Sequence, residues 1–161
     1  MKHVSIGNLV FSKVICGANP FYGHSHFSEA RDAEYSGRFD DEMIERTIQR
    51  CVSLGINAVE SSANERIISI LSRLRDRNPE PIRFVGSTRI DEASEIKSHQ
   101  KKLALLVEKR AEVCVIHAQY VDRPRKGDSI GGLARLVDTI HDAGLLAGIS
   151  THRVETVELC E

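Results

Sequence analysis

The chain has no tryptophan, no run of apolar residues approaching the length of a membrane span, and almost no net charge, −1 over 161 residues. Each absence excludes something. Without an apolar run of about 20 residues there is no membrane-spanning helix to expect. Without a basic excess there is no electrostatic footprint for nucleic acid. Met1 to Phe11 lacks the charged-then-apolar layout of a secretory leader. The four cysteines, Cys16, Cys51, Cys114 and Cys160, show neither CxxC nor zinc-ribbon spacing. They read as reduced, mostly buried thiols of a cytoplasmic protein. No GxGxxG follows the first apolar strand, which argues against a dinucleotide-binding open sheet.

What is present is repetition. Gly7-Asn8 between short alternating runs predicts a β-hairpin. Residues 12–17 (SKVICG) form a compact apolar run, and a long polar loop is expected over 18–39. Asp40 and Asp41 can cap a helix that runs to Leu54 and stops at Gly55. Met43, Ile44, Ile48, Cys51 and Val52 share one face of it. The pattern then recurs: strands over 56–60, 82–88, 113–117 and 146–150, with helices over 65–77, 96–109 and 130–143, and another from Val154. Asn78-Pro79-Glu80-Pro81 breaks the second helix from the strand that follows.

Short strands alternating with amphipathic helices predict a parallel sheet covered on both faces. Polar residues recur where each strand ends: Glu60, Thr88-Arg89, His117 and Ser150-Thr151-His152. A barrel gathers such positions around one mouth. The expected fold is therefore α/β, the first five βα units of a partial TIM (β/α)8 barrel behind a hairpin, as one domain over 1–161. A whole barrel needs about 250 residues, so the chain is expected to be a fragment, or to pair through open sheet edges as a homo-oligomer.

Several segments, in order and in spacing, resemble the aldo/keto reductase superfamily of NADP-dependent oxidoreductase barrels. "FSKVICGAN" is similar to its first strand and active-site loop. "GINAVESSA" resembles its "G-x-N-x-x-D-T-A", and "FVGSTR" its third strand ending in "T-K". "VCVIHAQYVD" resembles the fourth strand ending in His, and "AGLLAGISTHRVETVE" resembles "G-K-I-R-x-I-G-V-S-N-F". The segments "GANPFYGHSHFS" and "GISTH" resemble a divergent branch of these barrels more closely. The resemblance implies carbonyl chemistry with catalytic roles for Glu60 (in the Asp position), Arg89 (in the Lys position) and His117. It implies NADP as cofactor, with Ser150 and Thr151 at the nicotinamide amide. The family's catalytic Tyr has no counterpart, because "ESSANERIISIL" is shorter than the matching family segment. Tyr22 and Tyr120 are the available replacement hydroxyls, and spacing does not choose between them.

Asn19, Tyr22, His24, His26 and His152 complete the expected substrate-binding set. The partner is a small polar or anionic molecule, with no nucleic acid and no membrane. A second reading takes His24-Ser25-His26 as a metal motif. On an extended segment its imidazoles would lie roughly 6–7 Å apart on one face. With Glu60, His117 and His152 they would hold a divalent metal for a lyase or hydrolase. A third reading is a non-catalytic half-barrel. Residues 121–128 (VDRPRKGD) read as a solvated loop. His3, His99 and His141 read as surface positions.

Overall fold

The structure, a computed structural model, describes residues 1–90, 95–123 and 129–160. The hairpin forms as expected, from β1 (His3–Ile6) and β2 (Leu9–Ser12), with Ile6 opposite Leu9 across a two-residue turn. Gly7 takes φ +60° there, which a turn with glycine in its first central position requires. The main sheet contains five parallel strands in consecutive order. They are β3 (Cys16–Gly17), β4 (Ala58–Ser62), β5 (Arg83–Thr88), β6 (Val113–Ile116) and β7 (Leu146–Ile149). The chain thus shows a mixed α/β fold. None of its described helices is long and apolar enough to cross a membrane.

The chain divides into two compact units, Met1–Phe84 and Val85–Glu161. In the first, α2 (Asp41–Ser53) begins where the aspartates predict, with the Asp40 carboxylate accepting from Met43 N at 2.8 Å. Helix α3 (Glu65–Arg77) has the expected bounds, and Asn64 caps it. Ile44 and Ile48 of α2 and Ile67, Ile68, Leu71 and Leu74 of α3 are fully buried or nearly so. Asn57 fastens the hairpin to the start of β4. Its Oδ1 accepts from Ser12 N at 2.7 Å, its N donates to Ser12 Oγ at 3.0 Å, and its Nδ2 donates to Val10 O at 3.1 Å.

Three expectations fail in this unit. Residues 12–17 are not one strand: β2 ends at Ser12, β3 is only Cys16–Gly17, and Val14 and Ile15 are exposed. Residues 18–39 are not all loop. Asn19–Tyr22 form a 3-10 turn and Glu29–Arg38 form α1. No residue of α1 is buried, so no apolar stripe announces it. Local devices hold it instead: Ser28 Oγ accepts from Arg31 N at 3.2 Å, acidic Glu29 and Asp32 occupy the first turn, and Arg31 pairs with Glu34 at 3.0 Å. Finally, β4 runs to Ser62, so Glu60 lies in mid-strand rather than at its end.

In the second unit, β5, β6 and β7 pair in register: Thr88 opposite Ile116, and Ile116 opposite Ile149. Helices α4 (Glu95–Glu108) and α6 (Ser129–Asp142) pack on each other, and α6 packs on β7. A Cβ on Gly86 would lie 2.4 Å from a Leu106 methyl, so the strand needs glycine for α4 to come this close. A short helix, α5 (Ala118–Val121), follows β6, and α7 (Val154–Cys160) follows β7. Most of 121–128 lies outside the described residues. His99 corrects its surface assignment: it is fully buried on α4, since its helix turns that face inward alongside Leu103 and Leu106.

Candidate functional site

In the second unit the strand ends bring three expected residues to matching positions. Arg89, His117 and Ser150 each follow the register-matched residues Thr88, Ile116 and Ile149. The backbone bonds continue one step past the strands: His117 N donates to Thr88 O at 3.1 Å and Ser150 N donates to Ile116 O at 3.0 Å. Adjacent strands lie about 4.8 Å apart, so these positions form one rim at the carboxyl end of the sheet. Arg89 and Ser150 are exposed and His117 is half-buried.

His117 caps α5. Its Nδ1 accepts from Gln119 N at 3.1 Å, which leaves the proton of the neutral ring on Nε2. Asp122, at the end of α5, organises the loop after β7. Its carboxylate accepts from the Thr151 hydroxyl, from His152 N at 2.9 Å and from His152 Nδ1 at 2.7 Å. Those donors, the Thr151 hydroxyl first, hold the Asp122 carboxyl down at about 2. Asp122 closes the segment VCVIHAQYVD, which resembles a strand ending in His followed by a loop with Asp, but no role was expected of it because 121–128 read as a solvated loop.

Below this rim, Thr88 Oγ1 meets His99 Nδ1 at 3.2 Å, and the Thr88 hydroxyl also bonds the Cys114 thiol. Burial pushes the Cys114 thiol up to about 11 and His99 below the usual histidine value. Nε2 of His99 has no hydrogen-bond partner among the described residues. These are inert, neutral groups at neutral pH.

The first unit carries the other candidates. The Tyr22 hydroxyl bonds Ser61 Oγ, and Ser61 Oγ donates to Ser62 O at 2.9 Å. The single serine proton is thereby used, so Tyr22 is the donor to Ser61. Burial raises the Tyr22 pKa, and the charge of Glu60 adds to it, while the Ser61 and Ser62 contacts pull the other way. Ser61, buried on β4, was not anticipated. Glu60 sits opposite Gly17, and its carbonyl accepts from Ala18 N at 3.0 Å. Asn19 Nδ2 and His26 Nε2 are 3.0 Å apart, which joins two of the expected substrate residues.

His24-Ser25-His26 is not extended. His26 takes φ +57°, and Ser25 Oγ accepts from Phe27 N at 3.0 Å. Asp32 takes the Ser25 amide at 2.7 Å and lies close enough to both imidazoles to feel their charge. The coiled segment does not present two rings along one strand face. Among the described residues, no three His, Cys, Asp or Glu side chains are grouped as a metal ion would need.

For a nicotinamide, the fit is partial. Ser150 is exposed at the rim, as a partner for a carboxamide must be. Thr151 does not fit, because its hydroxyl proton is engaged by Asp122 and its oxygen accepts from Arg153 N at 3.1 Å. Neither a scan of protein-family models nor a search of curated proteins returns a match to this chain.

Proposed function

We propose that the chain forms the first five βα units of an aldo/keto reductase-like (β/α)8 barrel that acts on a small polar carbonyl or alcohol with a nicotinamide nucleotide. The observation that carries this reading is the register-matched rim of Arg89, His117 and Ser150. Strand order gives further support. The five strands follow in sequence with no reversal. A doubly wound sheet reverses at its switch point, whereas a barrel does not.

On this reading His117 stands at the end of β6 beside the reacting carbonyl, and Arg89 supplies a fixed positive charge for an anionic substituent. When bound, the nicotinamide would supply the hydride; Ser150 is the residue placed to hold its amide.

The test is NADPH oxidation measured against a panel of small aldehydes and ketones. The reading expects turnover that is lost in His117→Ala and retained in His141→Ala, a change on the exposed side of α6. Absence of both NADPH binding and turnover in the folded wild-type chain overturns it.

A further inference from the structure

Asp122 makes one contact more than a loop clasp requires. The Thr151 hydroxyl and His152 N would suffice to hold residues 150–153 against the end of α5. The carboxylate also holds the His152 ring, with Oδ2 2.7 Å from Nδ1. An ionised carboxylate has no proton to give, so Nδ1–H must be the donor. The neutral imidazole therefore leaves Nε2 unprotonated, as an acceptor. The His152 side chain is 84% exposed and Asp122 only 19% exposed, so a shielded anion orients a ring that solutes can reach. The neighbouring cation does not compete for the carboxylate, because Arg153 reaches toward Glu155 at 4.0 Å. His117 holds the opposite tautomer, with Nδ1 accepting from Gln119 N.

We propose that His152 is a proton-accepting catalytic residue at this rim, and that Asp122 is its positioning residue. The substrate class is a small hydrated carbonyl. In the step, the O–H bond breaks, the proton passes to Nε2, and the oxygen keeps the electron pair. That pair closes the C=O bond as the C–OH bond breaks, and the imidazolium, still bonded through Nδ1–H to the Asp122 carboxylate, gives its Nε2 proton to the departing hydroxide, leaving the carbonyl and water. In water such an ion pair contributes little to stability; its value lies in fixing the ring's tautomer and direction. The inference does not depend on the nicotinamide reading, since it does not use Ser150.

The test is long-range nitrogen–proton correlation NMR of the imidazoles in the full chain at neutral pH. Wild type is expected to show His152 protonated at Nδ1 and bare at Nε2. Asp122→Ala should return His152 to the Nε2–H form that free histidine favours. Thr151→Val, which removes a loop contact but not the ring contact, should leave the wild-type signature. Diethyl pyrocarbonate gives a chemical readout, because it carbethoxylates an unprotonated imidazole nitrogen. His152 should react several-fold faster than the exposed His3, His24 and His141, and Asp122→Ala should abolish that lead. A wild-type His152 protonated at Nε2, or one no more reactive than the other exposed histidines, overturns the proposal whether or not the variants fold.

Discussion

The two units place hydroxyls and carboxylates near their strand ends, yet the surroundings drive the key group of each in opposite directions. In the first unit Tyr22 is partly buried beside Glu60, and burial raises its pKa. In the second, Asp122 collects three donors, and its pKa falls to about 2. The phenol is kept neutral and the carboxylate is kept charged. Sequence position sets where a group sits; the balance of lost water against gained donors decides its charge.

The largest effects test whether each unit has its own core. Leu71→Ala in the first unit and Leu106→Ala in the second each delete a buried side chain. Each should cost about 2–5 kcal/mol, read as a lower midpoint in denaturant. Next comes the comparison between the two polar clusters. Tyr22→Phe should cost about 0.5–1.5 kcal/mol, because Ser61 loses a donor but keeps its bond to Ser62 O. Asp122→Ala should instead leave the global midpoint near wild type and speed amide exchange at His152, whose N loses its acceptor.

Titration separates the clusters by pH window. Tyr22 is raised from 10.0, so its contribution is present below pH 10 and declines as pH rises toward its folded value. Asp122 is lowered from 3.8, so its contribution is present above pH 4 and is lost as pH falls toward about 2. His99 is lowered from 6.5 by burial, so stability should begin to fall as pH drops below 6.5. Denaturant midpoints across pH 4–8, compared between wild type and His99→Gln, isolate that last effect. The smallest effect is one of reactivity. Burial, with the Cys51 thiol adding, pushes Cys16 up to about 12, whereas Cys160 is exposed. Iodoacetamide should therefore label Cys160 first, as peptide mapping by mass spectrometry would show.

Much of the fold was legible. Asp40 and Gly55 bracket α2, the apolar spacing of Ile67, Ile68, Leu71 and Leu74 marks α3, and Gly7-Asn8 marks the hairpin. Helix α1 was not, because it buries nothing and so leaves no periodic trace. His99 was misplaced because a lone histidine on a helix does not declare its face. Within the candidate site, Arg89, His117 and Ser150 could be read from strand ends. Asp122 and Ser61 could not, since their importance lies in bonds across 29–30 and 39 positions of sequence.

The account depends most on the rim of β5, β6 and β7 being where a ligand meets the chain. Amide chemical-shift mapping with NADPH as titrant tests this directly. The account predicts shifts at Arg89, His117, Ser150 and Thr151 and none along the hairpin of His3–Ser12. Shifts confined to the hairpin or to α1, or no shifts at saturating nucleotide, would contradict it.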